Sequence, residues 1–120
     1  MLGVAAAIVT MVVTARTETK PRGQELFERR CTGCHALDRD KEGPRLSGVY
    51  GRMSGSVPSF NYSDALKNAH IGWNAESLDQ WLTDPERLVP DNDMAFHVES
   101  AAERSEIIAY LKQMPYAPAS

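Results

Sequence analysis

Apolar and polar positions divide the chain into an uncharged apolar stretch and a body with helical periodicity. Residues 2–15 are mostly Ala, Val, Ile and Met, and none carries a charge. The polar run RTETKPR (16–22) follows. Beyond it, Leu26, Phe27, Arg30, Cys31 and Cys34 recur at three- and four-residue spacing, which predicts a helix over 24–34 with these side chains on one face. Ser63 is placed to cap a short helix over 64–68. Asn74 is placed to cap the next, where Leu78, Trp81 and Leu82 repeat at i, i+3 and i+4. Asp84-Pro85 reads as an N-cap followed by Pro at the first helical position. Ser100 with Glu103 reads as a capping box. It opens a final helix carrying Ile107, Ile108, Leu111 and Met114 on one side, and Pro115 and Pro118 forbid its continuation. Strand-like alternation is nearly absent. Residues 37–62 are rich in Gly, Pro and Ser and predict one long loop. A compact domain tolerates such a loop when something orders it. The pattern therefore predicts an all-α body wrapped around something.

Size sharpens that expectation. The body from Gly23 onward is about 98 of the 120 residues. A core of that size is marginal without disulfides, metal or another aid. Two cysteines cannot build a disulfide framework. A large apolar cofactor would fill the deficit. The net charge of −3 argues against nucleic acid, which needs a clustered basic excess. The thirteen basic and sixteen acidic side chains all fall at Arg16 or later. The apolar stretch is shorter than the roughly 20 residues that span a bilayer as a helix. It suits the apolar core of a secretory signal, and Val13-Thr14-Ala15 resembles a small-residue cleavage site. The expected organisation is a signal peptide or short membrane anchor (1–15), a polar linker (16–22), one domain (23–114) and a C-terminal tail (115–120).

Cys31-Thr32-Gly33-Cys34-His35 is a C-x-x-C-H run, the attachment signature of c-type haem. On a helix, positions i and i+3 share a face, so both thiols point the same way and can add to two vinyl groups along one porphyrin edge. His35, four residues after Cys31, presents its imidazole to the iron. Small Thr32 and Gly33 let the macrocycle approach the backbone. Thiol redox chemistry would want a βαβ context, which is missing. Zinc would want a second ligand pair, and only His70 and His97 are left over, far apart. The motif thus implies one covalent haem c with its iron.

With the motif in place, the body resembles class I cytochrome c, close to the mitochondrial type and its short alphaproteobacterial relatives. The resemblance rests on Gly23 and Phe27 ahead of CTGCH, then GPRLSGVYGRMSG (43–55), FNYSDALKNAHIGW (60–73), WLTDP (81–85), VPDNDMAF (89–96) and ERSEIIAYLK (103–112). It implies a small all-α globule with N- and C-terminal helices packed crosswise around the haem, and one-electron transfer as the function. It implies Met94 as the second axial ligand, because Met94 follows Pro90 as the ligand does in the family. A soft, neutral thioether favours ferrous iron and raises the reduction potential. It implies that the Pro44 carbonyl accepts the other ring N–H of His35. Arg52, Tyr62 and Trp73 correspond to the groups that neutralise or hydrogen-bond a buried propionate. Leu46, Phe27, Leu82, Phe96 and Leu111 should line or back the haem crevice. Gly23, Phe27, Tyr110 and Leu111 should join the terminal helices.

The sequence also departs from the family. The loop between His35 and Pro44 is shorter. Trp81 stands at the haem-side tyrosine, and its indole donates but cannot accept. Leu66 stands at a buried asparagine. Most of the lysine ring of the mitochondrial protein is missing: Glu25, Glu86 and Asp93 occupy ring positions, with Arg30 and Arg87 the basic survivors. The expected function is that of a single-electron carrier, not an enzyme, in a respiratory or photosynthetic chain of the bacterial periplasm, free or anchored to the inner membrane. It would be a monomer. Its donor would be a quinol-oxidising complex or dehydrogenase, and its acceptor a terminal oxidase or reductase. The rival readings are a peroxidase-like haem enzyme with a labile sixth ligand, and a tethered haem domain docked to an oxidase; as ligand, His97 is near enough to Met94 to replace it if the loop rearranges.

Overall fold

The computed structural model describes residues 2–15 and 19–115. Residues 16–18 of the expected linker and 116–120 of the expected tail lie outside the described residues. The described residues form five helices: α1 (Arg22–Arg30), α2 (Asp64–Lys67), α3 (Ala75–Thr83), α4 (Pro85–Leu88) and α5 (Ala101–Lys112). An isolated antiparallel bridge, Met53 to Gly72, takes the place of any strand among them. Residues 2–15 are exposed and have no regular structure. No helix of the described residues is long and apolar enough to cross a membrane.

Local chemistry places most helix starts. The Ser63 side chain accepts from the Leu66 N–H, and Asn74 from the Ser77 N–H. The Ser77 hydroxyl in turn accepts from the Asn74 N–H, closing a box at the head of α3. Asp84 ends α3 in an extended conformation and its side chain caps α4, with Pro85 at the first position.

Three expectations shift. The first helix begins at Arg22, where the Glu25 N–H closes the first turn on the Pro21 carbonyl at 3.2 Å, and its bounds are the first shift. The first helix ends at Arg30, so the C-x-x-C-H run occupies a turn beyond it. The Thr32 hydroxyl bonds the Glu28 carbonyl, the acceptor its own backbone N–H would need in a continued helix. Gly33 weakens continuation further. The turn still keeps a helical bond, His35 N–H to Cys31 O at 2.9 Å, so the spacing argument survives. At α5, Ser100 caps the Glu103 N–H, but the Glu103 carboxylate does not return. It pairs with Arg30 of α1 at 2.8 Å instead. Met114 falls just past the end of α5, where its carbonyl accepts from Gly48 at 3.0 Å.

The terminal helices α1 and α5 pack together, and α3 packs on α5. Leu26 and Phe27 bring one face of α1 to Ile107, Ile108 and Leu111. Gly23 allows the approach: a Cβ there would run into the backbone carbonyl of Glu106 and the Tyr110 Cβ. Phe27 stacks at a tilt on Tyr110, with ring centroids 5.4 Å apart. The long loop is ordered by backbone bonds to its surroundings, including Gly51 to Trp73, Trp73 to Arg52 and Ser54 to Ile71. Among the described residues, helices and loop together line a large cavity beside this packed core.

Candidate functional site

The hollow has a volume of about 540 Å³. Its apolar lining includes Leu46, Leu66, Trp73, Leu78, Leu82 and Leu111. Cys31, Cys34, His35, Pro44, Arg52, Tyr62 and Met94 all line it too, so every sequence-predicted site residue meets one cavity. Phe96 lines it while remaining 37% exposed. Phe27 backs it from the core without lining it. His70 and His97 are exposed and do not line it.

The end of α1 delivers the two thiols. The Cys31 N–H donates to the Phe27 carbonyl at 2.8 Å, and burial pushes the Cys31 thiol up to about 11. A thiol held protonated at neutral pH is a poor redox nucleophile, which disfavours dithiol exchange. Cys34 is exposed, with Sγ 3.6 Å from Glu42 Oε2. Both thiols are free. Among the described residues no cluster of His, Cys, Asp and Glu is assembled that could hold a metal ion by itself.

His35 is oriented on two sides. Its Nδ1 lies 2.7 Å from the Pro44 carbonyl, which requires a proton on Nδ1 and leaves the lone pair on Nε2. Burial lowers its pKa below the usual value, against the raising effect of the Pro44 bond, so the ring is neutral at pH 7 and fit to ligate. Gly43 lies against the ring, and a Cβ there would collide with the imidazole. The sequence reading missed this contact. Its signal was the small residue directly ahead of Pro44.

The polar side of the cavity is built from Arg52 and Tyr62. Arg52 donates from Nη1 to Ser47 O at 3.3 Å and from Nη2 to Arg45 O at 3.0 Å. Its buried Nε has no hydrogen-bond partner among the described residues. Burial lowers the Arg52 pKa, opposed in part by Tyr62 and the charge of Asp40, and Arg52 makes no direct ion pair among the described residues. The Tyr62 hydroxyl accepts from the Val57 N–H at 3.1 Å, so its own proton is free to donate. A desolvated cation with an orphaned donor calls for an anion. A propionate-bearing apolar macrocycle fits this wall, and the free thiols and neutral imidazole fit its covalent edge and its iron.

Met94 comes from the irregular segment between α4 and α5. Asn92 brackets it: Asn92 Oδ1 accepts from the Met94 N–H at 2.6 Å while Nδ2 donates to Val89 O at 2.9 Å. Trp81 of α3 donates from Nε1 to the Met94 sulfur at 3.2 Å. Sequence reasoning found Trp81 and Met94 separately and missed Asn92, whose amide is legible only once the turn is seen.

Comparison with known sequences agrees with this geometry. The sequence model of the family described as Cytochrome c matches residues 21–115. The chain belongs to the cytochrome c family. It is 46% identical over 96 residues to the cytochrome c of Euglena viridis, covering 78% of this chain and 94% of that one. It is 43% identical over 96 residues to the cytochrome c-type cyt cy of Rhodobacter capsulatus, covering 78% of this chain and 48% of that protein. The solved structure of cytochrome cH from Methylobacterium extorquens superposes with a TM-score of 0.72 at 36% identity, covering 76% of this chain and 94% of that one. This cytochrome c is of class I, carries one covalently bound haem c with its iron, and works as a one-electron carrier with redox partners.

Proposed function

We propose that Cys31 and Cys34 hold the haem through thioethers, that His35 and Met94 ligate the iron, and that Arg52, Tyr62 and Trp73 receive the propionates. The observation that carries this reading is the convergence of all seven side chains on one apolar cavity. The haem supplies a one-electron couple between ferric and ferrous iron. The chain supplies orientation and exclusion of water. Pro44 and Gly43 hold the His35 ring. Asn92 holds the Met94 backbone, and Trp81 holds its sulfur. A donor on the thioether draws electron density from sulfur, weakens its donation to ferric iron and raises the potential.

Redox titration of the purified holoprotein tests the assignment. One Nernst wave of one electron is expected, and carbon monoxide should leave it unmoved because both axial positions are filled. Ready binding of carbon monoxide would point to an open sixth site instead. In the same titration Trp81→Phe should lower the midpoint by a few tens of millivolts. That is the size of one ordinary hydrogen bond, about 1 kcal/mol, read on a one-electron scale.

The contact surface is proposed to suit a neutral, apolar or mixed-charge partner. Glu25, Glu86 and Asp93 are exposed, and Arg30 is already paired with Glu103. Steering by a lysine ring is therefore unavailable here. Stopped-flow electron transfer to an oxidase with an acidic docking face should be slow and only weakly dependent on salt. A fast rate at low salt, close to that of the mitochondrial protein, would contradict this.

The apolar residues 2–15 are proposed to direct export to the bacterial periplasm, in a respiratory or photosynthetic chain, as a cleaved signal or a retained tether. Leu2, Val4, Ile8 and Val12 are exposed, which supports a role apart from the core. The intact mass of the mature protein separates the two forms.

A further inference from the structure

The segment between α4 and α5 that carries Met94 has no helix or strand of its own. Side-chain bonds hold it. On the near side of Met94 the bracket is Asn92. On the far side it is Arg104 of α5. Arg104 Nε donates to Asp79 Oδ1 on α3 at 2.7 Å. Its Nη1 donates to the carbonyls of Val98 at 2.9 Å and Glu99 at 2.8 Å. The Val98 N–H donates to Leu82 O at 2.7 Å, and its side chain is fully buried. One guanidinium thus ties α5 to α3 and both to the chain four residues beyond Met94.

We propose that the Asp79–Arg104 pair is a pin that positions Met94. The proposal rests on the reading of Met94 as iron ligand. Arg104 has 11% of its side chain exposed and Asp79 has 49%, so Coulomb attraction alone is screened and worth little. Direction matters more. The guanidinium is a rigid planar fork. Asp79 sets its rotation by taking Nε, and that rotation aims Nη1 at both carbonyls. A lysine keeps the charge but cannot reproduce three bonds in a fixed plane. When the pin is lost, two carbonyls lose their donor, and beyond Met94 the segment is left on the Val98 N–H, with Asn92, the Trp81 indole and the Glu86 carboxylate holding it at and before Met94. Local opening that withdraws Met94 then becomes easier without unfolding the helices.

An external ligand reads that opening. Its apparent affinity is the intrinsic affinity scaled by the fraction of molecules that are open. Imidazole is the probe, titrated into the oxidised holoprotein and followed by loss of the near-infrared methionine-to-iron band. Arg104→Lys should raise the apparent imidazole affinity roughly tenfold, and Asp79→Asn roughly threefold, as expected when charge-assisted bonds leave an opening equilibrium. Amide hydrogen exchange should quicken across residues 93–99 ahead of α1 and α5. Glu103→Gln is the comparison, because it removes the Arg30 pair between α1 and α5 and leaves the segment alone. It should lower the guanidinium unfolding midpoint without raising imidazole affinity. If Arg104→Lys does not load haem, Asp79→Asn decides, since Asp79 lies at the surface. A wild-type band with unchanged imidazole affinity in the variants overturns the pin alone. So does a rise no larger than the loss of global stability explains. A wild-type protein without the band overturns the ligand reading and the pin with it.

Discussion

Replacing Met94 by Ala should lower the reduction potential by on the order of 100 mV or more, within the roughly 0.8 V that axial ligation spans. The thioether is soft and neutral and favours the ferrous state. Alanine removes it, and His97, exposed and off the cavity wall, could reach the iron only if the segment rearranged. The variant should also bind carbon monoxide when reduced and cyanide when oxidised. Folding should persist, because Met94 is only half-buried and the bracket from Asn92 uses its backbone N–H. Redox titration and a carbon monoxide difference spectrum check both effects. An unchanged potential with no ligand binding would remove Met94 from the coordination sphere.

Gly23→Val should destabilise the holoprotein by about 3 kcal/mol, at the upper end for overpacking. The atom in the way is the backbone carbonyl of Glu106, which cannot rotate aside as a side chain could. Relief requires α1 and α5 to separate, and that opens the Phe27–Tyr110 contact and exposes Leu26. For a domain of this size the melting midpoint should fall by roughly 15 °C. Differential scanning calorimetry measures it. A shift within a few degrees would mean that the terminal helices are not the clamp described here.

Four of the five helix starts among the described residues were legible because each depends on a few adjacent residues; that of α1, which has no side-chain cap, was not. Ser63, Asn74, Asp84-Pro85 and Ser100 all cap where local chemistry says they should. The stop of α1 was not, since the competing bond from Thr32 to Glu28 O outweighs a periodicity that runs on to Cys34. The reciprocal half of the Ser100 box failed for a related reason. Glu103 had a better partner in Arg30, far away in sequence. The C-x-x-C-H run announced the cofactor by itself. Trp81 and Met94 were each visible, but not the 3.2 Å bond between them. Asp79 and Arg104 are 25 positions apart on two helices, and nothing in either helix's own pattern pairs them.

The most direct test of the account is the near-infrared absorbance of the oxidised wild-type protein. His35 and Met94 together predict a weak methionine-to-iron charge-transfer band that disappears in Met94→Ala. A spectrum without that band, high-spin and quick to take up cyanide, would contradict the account and leave the sixth position open.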